Sequence, residues 1–165
     1  MLDLACGTGR HTRLALERGL AVTAVDRDTS RLGDLAGRPN VEVVTADLED
    51  GSPFPLAGRT FGAVIVTNYL WRPILPAICA AVAPDSLLIY ETFALGHEQL
   101  GGRPSNPAFL LRPNELAEAA VAAGLAIIAF EQVREDQPWP RIVQRVAATG
   151  PAHPWTTTPP ARFTP

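Results

Sequence analysis

The chain contains no lysine: all 14 of its basic residues are arginine. A loop of the form G-x-x-x-x-G-K-[ST] needs its lysine to reach nucleotide phosphates, so that motif is excluded. A basic excess is lacking too. The net charge is −3, whereas a nucleic-acid-binding face carries a positive patch. Arginine used alone, beside abundant alanine and proline, reads as genomic base composition rather than as a site. Cysteine is scarce, and Cys6 and Cys79 both stand in apolar contexts. Two buried thiols in a reducing, cytoplasmic setting are expected, not a disulfide framework. No apolar run approaches the ~20 residues of a membrane helix, and no charged segment precedes an apolar one at the N-terminus as in a secretory signal. No metal site, membrane or nucleic-acid partner is expected.

What is present fits one domain with a full core: 165 residues, 47% of them hydrophobic. Strand-like and helix-like segments alternate. Leu2–Ala5, Leu20–Asp26, Val41–Asp47, Phe61–Asn68 and Ser86–Phe93 read as strands. Arg10–Arg18 reads as a helix with Gly19 at its end, and Asp28 or Thr29 is placed to cap a short second one. A third helix is expected over Arg72–Ala83, with proline near its start. A long Gly/Pro loop spans Ala94–Arg112. A fourth helix follows, with Pro113 or Asn114 at its start and Gly124 at its end. Ala126–Val133 and Arg141–Thr149 are two strands joined by so short a link that an antiparallel hairpin is expected. The Pro/Thr-rich tail, 150–165, is expected to be unstructured.

Alternating β and α units with continuous apolar strands predict an α/β fold: a Rossmann-like, doubly wound, mostly parallel sheet with a C-terminal antiparallel hairpin. Ligands of such sheets bind beyond the carboxyl ends of the strands. The chemically useful residues cluster there. Gly7 and Gly9 follow the first strand, Asp26 ends the second, Asp47 the third, Asn68 the fourth and Glu91 the fifth.

The glycine turn differs from the dinucleotide pattern G-x-G-x-x-G, because Thr12 stands where the third glycine would permit close packing beside a pyrophosphate. The spacing is instead D-x-A-x-G-x-G, with Asp3, Ala5, Gly7 and Gly9. Small residues let the backbone approach a ligand, and the acid at Asp3 favours a cationic one. Asp26, about 20 residues beyond Gly7, is placed to accept both hydroxyls of a ribose. Asp47 can accept from an adenine amino group while Leu48 packs on the ring.

In "LDLACGTGR", "AVDRD", "ADLED" and "VIVTNYL", in that order, the chain resembles the class I S-adenosylmethionine-dependent methyltransferases. The resemblance runs from about Leu2 to Thr149, with 1–149 as the domain, and includes the family's terminal hairpin. "TNYLWRPILP" and the stretch from Ile89 to Leu116 are similar to a bacterial small-molecule subgroup related to tellurite-resistance methyltransferases. The resemblance implies S-adenosyl-L-methionine as cofactor, S-adenosyl-L-homocysteine as product and a small-molecule methyl acceptor. It implies that Asp3, Ala5, Gly7 and Gly9 line the methionine moiety. Asp26 would bind the ribose with Arg27 beside it, and Asp47 and Leu48 the adenine. Asn68, Tyr69 and Leu70 would close the site near the sulfonium. Asn68 is not followed by Pro-Pro-aromatic, the pattern of adenine-N6 and glutamine methyltransferases.

A sulfonium methyl is already activated, so the protein must position a nucleophile in line and exclude water. A base is needed only for an acceptor such as a hydroxyl or amine. Tyr69 could line the methyl-transfer site, Glu91 could meet a substrate or hold a loop, and His97 could act as the base. Arg103, Asn106 and Arg112 could recognise an anionic acceptor, and the long loop is expected to act as a substrate lid. The family usually carries a helical segment before its first motif, whereas here Met1 and Leu2 already belong to the first strand. The expectation is an N-terminally truncated domain. Three readings stand: an active methyltransferase, a cofactor-binding domain impaired in catalysis, and an NAD(P)-dependent enzyme of shared architecture.

Overall fold

The apolar runs become the strands of one sheet. The computed structural model describes residues 1–161. In chain order these form β1 (Leu2–Leu4), α1 (Arg10–Glu17), β2 (Val22–Asp26), β3 (Val41–Thr45), β4 (Phe61–Thr67), α2 (Leu75–Ala80), β5 (Val82–Phe93), α3 (Glu115–Ala122), β6 (Ala126–Glu135) and β7 (Arg141–Thr149). The strand order is β3-β2-β1-β4-β5-β7-β6. The first five run parallel, and β7 inserts antiparallel between β5 and β6. The expected α/β sheet with its terminal hairpin is therefore present. The chain steps outward from β1 to β2 and β3, then returns to the other side of β1 as β4. That reversal opens a crevice beyond the ends of β1 and β4, the usual binding place in open α/β sheets.

Successive side chains of a strand point to opposite faces, and the core divides accordingly. Leu2, Leu4, Val25, Val64, Val66, Leu88 and Tyr90 pack with Ile78 of α2 and with Leu116 and Ala120 of α3. Ala24, one residue before Val25, faces a smaller cluster of Cys6, Leu32 and Leu35.

Two expected helices are altered by their own sequences. Thr29–Leu35 is a 3-10 segment broken at Gly33, whose φ is 56°. Asp28 makes no capping bond there, because its carboxylate accepts the Ser30 hydroxyl. Arg72–Ile74 is a 3-10 turn before α2, and α2 stops at Ala80 because β5 already begins at Val82, the partner of Phe61. The loop Ala94–Arg112 has its ends drawn together: Leu95 N–H donates to Leu111 O, and Leu111 N–H to Phe93 O, both at 2.9 Å. It contains two 3-10 turns, His97–Leu100 and Pro107–Phe109.

The tail reads as unstructured from its sequence, yet the part described folds back. Gly150 N–H donates to Ser86 O at 2.9 Å and Ala152 N–H to Pro84 O at 2.8 Å. Pro154–Thr156 then makes a 3-10 turn capped by the His153 ring. Proline-rich sequence suits such a turn, since the turn's first residues need no N–H donor. The last four residues lie outside the described ones.

Candidate functional site

The crevice holds a pocket of about 420 Å³, within the range of small-molecule sites. Its walls come from the residues following four parallel strands. Ala5 follows β1. Asp26 and Arg27 end β2, with Arg31 nearby. Ala46, Asp47, Leu48 and Glu49 follow β3, and Asn68 and Tyr69 follow β4. Phe109 enters from the loop between β5 and α3.

The turns are built to expose backbone. Ala5 and Asn68 both adopt the left-handed region, with φ of 52° and 56°. That conformation is costly for alanine and easier for asparagine. At Gly9, φ is 76° and an added Cβ would collide with the side chains of Leu32 and Leu35. Glycine is required there for backbone conformation and for close approach alike.

Asp26 organises the turn before any ligand is considered. Its Oδ2 accepts the Gly7 N–H at 2.8 Å and its Oδ1 accepts the Asp28 N–H at 3.0 Å. Each oxygen keeps a further lone pair. Asp47 behaves similarly, accepting the Glu49 N–H at 2.9 Å. Asp3 does not line the pocket. It is 2% exposed and accepts the Thr12 hydroxyl at 2.6 Å behind the turn. Burial raises its pKa against the effect of that bond. Thr12 thus does at this position what a third glycine cannot: it donates a hydrogen bond to a buried carboxylate. Burial pushes the Cys6 thiol up to about 12, helped by Asp3 and Asp26, so it stays protonated.

Tyr69 lines the pocket, and its buried hydroxyl has no hydrogen-bond partner among the described residues. Its backbone is held from behind, where the Tyr90 hydroxyl donates to the Tyr69 carbonyl at 2.9 Å. Burial first, then the charges of Glu49 and Asp47, raise its pKa. The phenol stays protonated at neutral pH and can donate a hydrogen bond.

Other expected residues do not come to the pocket. Leu70 is buried in the main core. Glu91 accepts from Arg141 Nη1 at 3.0 Å and from Arg145 Nε, in a network that includes Glu131 and Glu135. His97 is 2% exposed. Its ring stacks on Phe93 at 4.4 Å, its Nδ1 accepts the Ile142 N–H, and its Nε2 lies 3.2 Å from Arg103 O. Neither is free to meet a substrate in this geometry. Arg112 and Asn106 serve the loop itself, the first bonded to Glu115 and the second capping Ala108 N–H. Arg31, Ala46, Glu49 and Phe109 are pocket residues that sequence reasoning missed. The first three lie within a few residues of Asp26 and Asp47 and could have been found by proximity. Phe109 carries no local signal.

In comparisons with known proteins, the methyltransferase-domain family matches residues 1–84. No curated protein matches the chain. Among solved structures it is similar to an S-adenosylmethionine-dependent methyltransferase from Mesorhizobium loti, at 18% identity, 89% of this chain, 88% of that one and a TM-score of 0.68. It is similar to the glycopeptide N-methyltransferase MtfA complexed with S-adenosyl-L-homocysteine, at 22% identity, 91% and 82% coverage and a TM-score of 0.60. The cyclase SpnF is also similar, at 16% identity, 91% and 73% coverage and a TM-score of 0.65. At such identities the likeness speaks for the fold, and one fold hosts many activities.

Proposed function

The chain belongs to the methyltransferase-domain family and has the class I S-adenosylmethionine-dependent fold, and on that premise we propose that it transfers a methyl group from S-adenosyl-L-methionine to a small-molecule acceptor by in-line displacement. One observation carries the reading. Two strand-end carboxylates, Asp26 and Asp47, share one pocket with the left-handed turns at Ala5 and Asn68 and with an unpartnered buried phenol. That donor set suits a ligand with a diol, an amino-substituted ring and a cationic centre.

In this reading Asp26 holds the ribose hydroxyls with Arg27 beside it, and Asp47 and Leu48 hold the adenine. Ala5 presents backbone to the methionine moiety, with Gly7 and Gly9 shaping the turn and Asp3 behind it. Asn68 and Tyr69, backed by Leu70, close the far end. The cofactor supplies the activated methyl. The chain's own part is to position the acceptor and exclude water. Tyr69 keeps its proton and donates. Glu91 and His97 are held in the framework by β7 and the loop, so the expected base His97 is not placed to deprotonate an acceptor. This supports an acceptor that is nucleophilic without help, such as a thiolate, a selenide or a reduced metalloid, in keeping with the subgroup the chain resembles. No helix among the described residues is long and apolar enough to cross a membrane, and a cytoplasmic bacterial enzyme is the setting we infer.

The test is calorimetric titration with S-adenosylmethionine, S-adenosylhomocysteine and NADH, on the chain and on an Asp26→Ala variant shown to be folded. Binding of both sulfur compounds but not NADH, lost in the variant, is expected. NADH binding alone would replace this reading with a dehydrogenase-like one.

A further inference from the structure

Phe109 reaches the pocket from a loop that belongs to another part of the chain, and one side chain accounts for its position. Arg72 lies in the 3-10 turn just after the Asn68–Tyr69 wall. Its Nη1 donates to Ala108 O at 2.6 Å and its Nη2 to Leu110 O at 2.7 Å. These are the carbonyls immediately before and after Phe109. The same guanidinium makes a two-point bridge to Glu115 of α3, Nε to Oε1 at 2.7 Å and Nη2 to Oε2 at 2.9 Å. Glu115 also accepts the Arg112 N–H at 2.8 Å, at the end of the loop. One planar group therefore ties three segments together: the turn after β4, the peptide on either side of Phe109, and the first turn of α3. Lysine, with a single nitrogen, could not make this set of bonds.

We propose that Arg72 is a positioning residue for the pocket: by holding both neighbours of Phe109 it sets that ring against the wall formed by Asn68 and Tyr69, and so sets the affinity of the site. The inference rests on reading this pocket as the cofactor site. Phe109 is the residue that contacts the ligand; Arg72 acts through it. The loop is accordingly a fixed wall at Phe109, whatever the freedom of its other end. Its tip around Gly101 and Gly102 has no part in this arrangement.

The experiment is a double-mutant cycle in binding. S-Adenosylhomocysteine affinity is measured by calorimetry for the wild-type chain, Phe109→Ala, Phe109→Tyr, Arg72→Gln and the Arg72→Gln/Phe109→Ala double variant. Melting temperatures are recorded for each, with amide hydrogen exchange over residues 107–111. Phe109→Ala is expected to weaken binding about tenfold, as loss of a large apolar contact does, and Phe109→Tyr to keep affinity. Arg72→Gln should weaken binding by a similar factor and speed exchange at residues 107–111. The double variant should be no weaker than the worse single one, because both changes remove one contact. Wild-type affinity in Phe109→Ala, or losses that multiply to about a hundredfold in the double variant, would overturn the proposal. Phe109→Ala leaves the Arg72–Glu115 bridge intact, so it reports even if Arg72→Gln does not fold. A folded wild-type chain that binds neither sulfur compound would remove the cofactor reading and this inference together. Wild-type binding with unaffected variants would remove this inference alone.

Discussion

Replacing Glu115 by glutamine tests how the loop is joined to the helical layer. Glu115 is 6% exposed and its carboxylate accepts four hydrogen bonds, two from the Arg72 side chain, one from the Arg112 N–H and one, at 3.2 Å, from Arg112 Nη2. Burial alone would raise its pKa. Only together do the Arg72 hydrogen bonds, the Arg112 backbone and side chain and the Arg72 charge outweigh that, and they hold it at about 2 against an ordinary 4.5. That difference sets a ceiling of about 3 kcal/mol. Arg72 is 32% exposed, so screening reduces the figure to about 2 kcal/mol. Glutamine keeps the shape but turns an N–H₂ toward donors. At pH 7 the variant should melt about 6 °C lower, given roughly 2–4 °C per kcal/mol for a domain of this size. The sign of the pH dependence follows from the depressed pKa. The stabilisation is complete above about 4.5 and is lost as pH falls toward 2. Thermal melts of both proteins at pH 7, 5 and 3, followed by far-ultraviolet circular dichroism, should show the gap shrinking at the lowest pH. A gap under 1 °C at pH 7, or one that stays constant down to pH 3, would refute the reasoning.

Three further outcomes are expected. Gly9→Ala must place a methyl against Leu32 and Leu35 at a φ of 76°; chemical denaturation should show a loss of about 2–3 kcal/mol, from the left-handed backbone and overpacking together. Thr12→Val removes the donor to buried Asp3 and should cost about 1–3 kcal/mol at neutral pH. Because the Asp3 pKa is already raised by burial, denaturation at pH 4 should show a smaller deficit than at pH 8; an equal deficit would mean that Asp3 is not charged in the fold. Tyr69→Phe removes a buried hydroxyl without a partner. Stability should hold or rise by up to about 1 kcal/mol while calorimetry shows weaker cofactor binding, and unchanged binding would show that the hydroxyl does not meet the ligand.

Much of this site is legible in the sequence because it depends on strand ends. Asp26 and Asp47 each terminate a valine-rich run, and a parallel sheet must carry such residues to one edge. The turn at Ala5–Gly9 is legible because Gly7 and Gly9 mark its positive-φ positions, and at Gly9 a Cβ would also meet Leu32 and Leu35. Glu91 and His97 mislead for a physical reason. They have the right chemistry at the right edge, but their partners, Arg141, Arg145 and Ile142, lie on β7, about 50 residues away. Phe109 escapes detection for the same reason, since the arginine bonded to the carbonyls on either side of it lies 36 and 38 residues before them in sequence. The shortened α2 reflects competition: Ala81 and Val82 suit a helix, but pairing with Phe61 claims them for the sheet.

The inner place of β7 has a consequence for the order of assembly. β5 finds its second neighbour only in the last strand of the chain, with Leu87 opposite Thr149. During synthesis that flank of β5 stays open until Arg141–Thr149 has emerged. Ala94, at the root of the loop that carries Phe109, also waits for β7, since its N–H donates to Ile142 O. Contacts so distant in sequence close slowly. The motifs that would hold the cofactor lie before β5, but the wall that completes their pocket is a late event, reached only once β7 has been made.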